Sequence, residues 1–365
     1  MRSFIDIPTP RRHYTDQPKS PSFPLCQRGM KGAFFDRTML ALAIFLWPEL
    51  AFASLQQVRE VHYQMGTFLE LTLWQEETET AKRLIRQAVV EVHRLEEVFS
   101  NFDPDSDLSR FNELAGKGKI DLNPDLYQIL KIAVAFGART GGYFDVTVGP
   151  LVRLWKQSLS LGTLPSQEAL VKTLSLVGYE KLKLYPNRQA ALGPAMELDL
   201  GGIGKGYAVD RIADRLRVAG VTSALINFGG SSICALGAPP GRRAWEIGIE
   251  APDKTLRGVI QLRDRALSTS GSMGQFWLVG GKKYGHLINP KNGMPVTEAR
   301  AATAVMSSAT AAEALTKPLA IIGSDALSLI DRFPGAEAAV IPANGQLSFS
   351  KSFKAKTNWR ELPAT

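Results

Sequence analysis

Cysteine and histidine are scarce: two and four, respectively, among 365 residues. No His/Cys/Asp cluster has the spacing of a zinc site. The formal charge is +8, but no Lys/Arg run is interleaved with aromatic residues. The bases are scattered among nearly as many acids, which describes a solvated mixed surface and excludes a nucleic-acid interface. Internal repeats, low-complexity linkers and a membrane span after the N-terminal region are all missing. The apolar run Met39–Trp47 is itself too short to cross a bilayer. What remains is a soluble globular profile, 45% hydrophobic and 21% charged, with a mean hydropathy near zero. The length suffices for one large or two medium domains.

The first 53 residues stand apart. Residues 1–29 are rich in Pro, Ser and Arg without an apolar period, and read as disordered or as upstream sequence translated by mistake. Residues 30–53 follow the secretory pattern: Lys31 and Arg37, the apolar run, then Ala51-Phe52-Ala53. Cleavage is expected before Ser54, with Met30 as the true start, and an exported, periplasmic product follows. Removing this segment takes away seven Lys/Arg and four Asp/Glu, lowering the net charge from +8 to +5. Cys26 goes with it, so Cys234 alone remains and no intramolecular disulfide forms. With no Cys at the cleavage point, no lipid anchor is signalled.

Residues 54–365 read as a single α+β region of two intertwined lobes without a linker. Glu60–Trp74 alternates as a strand or hairpin, and Ala81–Phe99 carries its apolar residues at helical spacing. Asp105, Ser106 and Asp107 offer caps to a short turn. Asn123-Pro124 opens a helix to Arg139 by the cap-then-proline rule. Gly142–Trp155 is a loop feeding a proline-started segment, and Ser166–Leu176 a helix. Ala224–Phe228 reads as a buried strand, followed by short strands at Trp245–Glu250, Val259–Arg263, Ala266–Ser270 and Gln275–Val279. Helices separated from runs of strands predict mixed or antiparallel sheets with flanking helices, not a doubly wound sheet.

The organising stretch is Met196–Asp210, MELDLGGIGKGYAVD. Met196, Leu198 and Leu200 alternate with Glu197 and Asp199 as in a half-buried strand. Glycines at 201, 202, 204 and 206 then permit a tight turn into a helix carrying Ala208, Val209, Ile212, Ala213 and Leu216. This geometry aims N–H groups at an anion, with Lys205 in the loop, although strand–loop–helix units also serve packing alone. The best-known phosphate loops are excluded. A Walker loop needs Gly at Asp199 and Ser or Thr at Gly206, and no G-x-G-x-x-G fits. Thr269-Ser270-Gly271-Ser272 is not a G-x-S-x-G elbow. His286, between Gly285 and Leu287, is the one histidine read in a functional loop, although a lone histidine is commonly structural.

In order, the stretches Met65-Gly66-Thr67, SNFDPDSDLSRFN, GGYFDVTVGPLVRLW, DLGGIGKGYAVD, NFGGS, STSG, HLINPKNGMPV and Ala312–Gly323 resemble the bacterial FAD:protein FMN transferases, the ApbE-like flavin transferases. The resemblance covers nearly all of residues 54–365. It implies an exported two-lobed α+β protein that binds FAD in the cleft between lobes. Such a protein transfers FMN to a Thr or Ser hydroxyl of an exported or membrane-bound acceptor protein, releasing AMP and using magnesium. Residue by residue, it implies FAD contacts from Met65, Phe102 (usually Tyr), Phe144, Asp145, Val146, Asp199, Lys205 and Leu287. It makes His286 the general base.

The same resemblance places magnesium ligands at Gly202, Glu313, Thr316 and Lys317, and here the sequence departs from it. The family carries Asp and Thr where Glu313 and Lys317 stand, and a protonated Lys cannot ligate magnesium. Two readings stay open. Lys317 can supply positive charge where the metal would sit, paired with Glu313 at i,i+4, with FAD bound without a divalent ion and transfer slowed or lost. Alternatively, magnesium shifts onto Glu313, Thr316 and diphosphate oxygens. An ordinary surface ion pair is the plain reading of this spacing, and Pro318 is expected to kink or end the helix. Rival functions are a flavin-binding protein that has lost transfer, and an FAD pyrophosphatase.

Overall fold

The computed structural model describes residues 54–362; the leader and signal-peptide expectations fall on residues outside this range. The frame is an eight-stranded sheet: β1 (Gln56–Gln64), β2 (Thr67–Gln75), β3 (Ala224–Phe228), β4 (Ser232–Leu236), β5 (Arg265–Gly271), β6 (Arg300–Met306), β7 (Glu337–Pro342) and β8 (Ser348–Phe349). Spatial order is chain order, and every adjacent pair is antiparallel. The sheet is therefore a meander, and the α+β expectation resolves to antiparallel pairing.

Alternation along the strands feeds two cores. Ile226, Cys234, Ala266, Ala302, Ala304 and Val340 face a helical layer. Their neighbours Ile233, Ala235, Leu267, Val305 and Ile341 pack against the hairpin Trp245–Glu250/Leu256–Leu262 and the short helix Phe353–Thr357. Covering both faces explains why β6 and β7 read as continuous apolar runs.

Residues 76–223 are inserted between β2 and β3. They carry α1 (Thr78–Phe99), α2 (Asp107–Glu113), α3 (Pro124–Arg139), α4 (Gly149–Ser160), α5 (Gln167–Leu174) and α6 (Gly204–Val218). Two caps act as the sequence predicts, Ser106 and Asn123 accepting from the N–H groups of Ser109 and Asp125, and Ser166 caps α5 by accepting from the Ala169 N–H. The β1–β2 turn is the two-residue Met65-Gly66, at φ 45° and 74°, the positive-φ pair that a tight hairpin requires.

Two local expectations need correction. Met196–Leu200 is not a strand of any sheet. Its alternation is real, with Met196, Leu198 and Leu200 buried, but its backbone partners are not a ladder. The Leu198 N–H donates to Asn112 Oδ1 at 2.8 Å, Asn112 Nδ2 donates back to the Leu198 carbonyl at 3.0 Å, and the Asp199 N–H donates to the Val146 carbonyl at 2.7 Å. Pro318 does not end its helix. Helix α7 (Ala309–Ile322) runs through it, because Ala312, Leu315 and Leu319 are fully buried against the helical face of the sheet and packing outweighs one lost hydrogen bond.

Helices α6 and α7 are locked together at two points. Asp210 caps α7 from the neighbouring helix. Its carboxylate accepts from Ser308 Oγ (2.6 Å), the N–H groups of Ala309 (2.7 Å) and Thr310 (2.9 Å), and Thr310 Oγ1 (2.5 Å). Four residues earlier, Gly206 sits so close that a Cβ would stand 2.4 Å from the Ala309 carbonyl oxygen. This glycine serves helix packing and not the approach of a ligand.

Candidate active site

Two adjoining cavities meet at the N-terminal end of α6. One, of about 650 Å³, is bounded by Phe144–Val146, β5, α7, His286–Ile288 and the hairpin Phe276–Val279/Lys282–Gly285. The other, of about 1200 Å³, lies between the Met65-Gly66 turn, the end of α1, Phe102 and α4. Val152, Lys156, Asp199, Gly201 and Lys205 line both, so the pair forms one elongated trough. The insertion supplies one wall; β5, the histidine loop and α7 supply the other.

The floor is electrostatic. Glu313 is 2% exposed and turns toward the start of α6, where Gly206 N–H donates to Oε2 at 2.6 Å and Lys205 Nζ lies 3.0 Å from Oε1. Burial alone would raise this carboxyl. The Lys205 and Lys317 charges and the Gly206 N–H hold it below the usual carboxylate range, while Glu313 in turn raises the Lys205 ammonium. Lys317 turns the other way: Nζ donates to Ser270 Oγ at 2.8 Å and lies 3.5 Å from Thr316 Oγ1. Burial pushes Lys317 down to about 8, against the pull of Glu313. The expected i,i+4 surface pair is thus replaced by a buried Glu313–Lys205 pair, because the positive end of α6 and its lysine are the nearer partners. Lys205 itself lies in the first turn of α6 and not in the loop.

The trough gathers every residue expected to contact FAD, in two groups. Met65 and Phe102 line the larger cavity, and Phe144, Asp145, Val146 and Leu287 line the smaller, as does His286. Phe102 is 89% exposed. The Asp145 carboxylate is occupied by its own turn. It accepts from Thr147 N–H (2.8 Å), Thr147 Oγ1 (2.7 Å) and Tyr179 N–H (2.7 Å), and burial raises its pKa. It shapes the wall by fixing this turn, whose Val146 carbonyl holds Asp199. Asp199 Oδ1 then accepts from Gly201 N–H at 2.7 Å. Of the glycine-loop amides expected to face an anion, Gly201, Gly204 and Gly206 are thus committed within the protein.

His286 is open to the trough, its backbone N–H and its Nδ1 both against the Gln275 carbonyl, at 3.1 and 3.2 Å. The enclosing walls disfavour its charged form, and Lys317 and Lys205 add repulsion, so its pKa lies below the ordinary histidine value. A neutral ring with Nδ1–H donating to that carbonyl leaves Nε2 as the basic nitrogen.

Sequence reasoning missed Ser270 as the anchor of Lys317. Ser268 and Ser270 lie on one face of a strand by their spacing of two, beside apolar Ala266, and that was the available signal. Lys156, shared by both cavities, carried none. Trp155, which stacks on Tyr284 at 5.9 Å and donates to the Gly293 carbonyl at 2.6 Å, ties α4 to the hairpin and the histidine loop.

The donor set does not fit magnesium. Both Glu313 oxygens are engaged, Thr316 Oγ1 donates to the Glu313 carbonyl at 2.7 Å, and Ser270 and Thr316 hydroxyls lie 2.7 Å apart. The Lys317 chain fills the space between them and Gly202, with Cε 3.2 Å from where a Gly202 Cβ would stand. Among the described residues no group of three or more His, Cys, Asp or Glu side chains could hold a metal. Gly202, Glu313, Thr316 and Lys317 therefore do not fit magnesium as the resemblance would place it, because the Lys317 ammonium lies among them.

The architecture is that of the ApbE flavin transferases. It matches the ApbE protein of Thermotoga maritima with a TM-score of 0.75 at 26% identity, covering 83% of this chain and 99% of that one. It matches the Pseudomonas stutzeri flavinyl transferase ApbE, apo form, with a TM-score of 0.74 at 25% identity, covering 83% and 98%. Residues 65–341 fit the ApbE family pattern, and the chain belongs to that family. The FAD:protein FMN transferase of Treponema pallidum is 30% identical over 288 residues, covering 70% of this chain and 79% of that protein. That of Haemophilus influenzae is 30% identical over 284, covering 72% and 80%.

Proposed function

We propose that this protein is an FAD:protein FMN transferase that holds FAD along the trough and acts on an exported acceptor. The observation that carries the reading is the two-part trough with Lys156 and Lys205 at the junction of its cavities, beside Asp199, formed in an ApbE-family chain. A dinucleotide has this shape: two ring systems joined by a diphosphate. Lys205, Lys317 and Lys156 lie where the cavities meet or beside that point, and suit the diphosphate.

The chemistry is a phosphoryl-type transfer. The acceptor Thr or Ser oxygen bonds to the phosphorus of the FMN half, and the bond from that phosphorus to the bridging oxygen breaks. AMP leaves with that oxygen, and the hydroxyl proton passes to His286 Nε2. A base that is neutral at pH 7 and open to the cleft suits this task, while fixed ammonium groups stabilise the charge accumulating on departing AMP. Each of these steps is served by the chain's own side chains.

Export to the periplasm rests on the sequence pattern of residues 30–53. Among the described residues, no helix is long and apolar enough to cross a membrane. The test incubates the protein beginning at Ser54 with FAD and a Thr-bearing acceptor domain. Covalent flavin on the acceptor with stoichiometric AMP supports transfer. FMN released to water marks a pyrophosphatase, and bound but intact FAD marks a carrier; either outcome replaces the proposal.

A further inference from the structure

We infer that Lys317 is a tethered cation that takes the part of a divalent metal, so that this site binds and cleaves its dinucleotide diphosphate without one. The inference rests on the transferase reading above, but concerns what neutralises the substrate. Three observations carry it. First, the Lys317 side chain lies along Gly202 and ends between Ser270 and Thr316, occupying the volume a metal would need. A divalent ion there would face an ammonium at contact distance. Second, Lys317 has donors to spare. An ammonium carries three N–H bonds; Ser270 takes one at 2.8 Å and Thr316 is a distant second at 3.5 Å. Lys317 also lines the smaller cavity, so a remaining donor is available to a ligand oxygen. Third, the same wall holds an orphan. Ser268 Oγ is buried, without a hydrogen-bond partner among the described residues, and Ser268 lines the cavity beside Ser270. A buried hydroxyl left unpaired is costly unless a ligand or water completes it.

Around the junction Glu313 offsets Lys205 and Asp199 offsets Lys156, which leaves one net positive charge, that of the Lys317 ammonium. A dinucleotide diphosphate carries two negative charges, of which this cation offsets one. When the bond to the bridging oxygen breaks, the charge growing on the AMP phosphate meets the Lys317 ammonium, and no further co-reactant is needed.

The experiment measures FAD binding by flavin fluorescence on protein stripped with EDTA, with and without added magnesium, for wild type, Lys317→Met and Lys317→Arg. Riboflavin, which lacks phosphate, serves as the control ligand, and circular dichroism checks the fold. Wild type is expected to bind FAD equally tightly, within about twofold, in EDTA and in magnesium. Lys317→Met is expected to lose about tenfold or more in FAD affinity, as for a deleted charge-assisted hydrogen bond. Its riboflavin binding should be unchanged, and Lys317→Arg should retain most of the FAD affinity. Wild-type binding that appears only with magnesium overturns the tethered cation and leaves the transferase reading intact. So does a Lys317→Met protein that binds FAD like wild type. Failure of wild type to bind FAD under both conditions overturns both.

Discussion

Substituting alanine at Gly206 and at Gly204 separates two reasons for a glycine within one turn of α6. Neither position has a positive φ, and both lie in the helix, so helix propensity alone favours each change by roughly 1 kcal/mol. At Gly204 a Cβ would meet nothing within 4 Å, and the gain should appear in full or be neutral. At Gly206 the Cβ would lie 2.4 Å from the Ala309 carbonyl oxygen, 2.7 Å from its carbon and 2.8 Å from the Thr310 nitrogen. All three are backbone atoms of the first turn of α7, so no side chain can swing aside. Relief requires the helices to part by several tenths of an ångström. That movement stretches the Asp210 cap, now at 2.5–2.9 Å, and the Gly206–Glu313 hydrogen bond. Overpacking costs about 1–3 kcal/mol and a weakened cap about 1 kcal/mol more. Gly206→Ala should therefore be about 2–4 kcal/mol less stable than Gly204→Ala, read as urea midpoints of the flavin-free proteins. Equal midpoints for the two variants would refute the claim that α6 and α7 meet through Gly206.

Replacing His286 with Ala should reduce FMN transfer by about 10²–10⁴-fold, in line with loss of a general base, with FAD affinity within a few-fold of wild type. Because the trough depresses the His286 pKa, wild-type transfer should stay on its plateau through the ordinary histidine range and fall only at more acid pH, as the ring gains its proton. An acid limb at or above pH ~6.5 would contradict this. Asp210→Ala removes all four capping bonds and should cost about 2–3 kcal/mol in a denaturant titration. Asn112→Ala deletes both bonds to Leu198 and should cost about 1–3 kcal/mol; hydrogen exchange should show faster exchange at Leu198, and a protected Leu198 amide would exclude the role given to Asn112.

What could be read from the sequence was mainly what local chemistry decides. Asn123-Pro124 marks a helix start because cap and proline act on their own neighbours, and Ala224–Phe228 is recognisable as a short apolar run between turn residues. Strands β6 and β7 were not recognised: AATAVM and AAVI show no period of two, because the sheet is covered on both faces. Met196–Leu200 misleads for the opposite reason. One-sided burial gives it a strand's alternation, while a side chain, Asn112, takes the place of a neighbouring strand. The site's membership was visible in the ordered motifs, but its wiring was not. Spacing pairs Glu313 with Lys317, whereas folding brings Lys205 and Gly206 from a helix about a hundred residues earlier in the chain. No local pattern can announce such a partner.

The meander has a kinetic consequence. Strand β2 closes on β1 through a two-residue turn, but its other edge must wait for β3, until residues 76–223 have been placed. Loop-closure entropy of that length has to be met before the pairing is rewarded. The β1–β2 ribbon can therefore form early and the β2–β3 seam late. Since the trough takes the Met65-Gly66 turn from the β1–β2 ribbon and Gly229, Ser231 and β5 from beyond that seam, flavin capture should report completion of folding, appearing only in the slowest refolding phase.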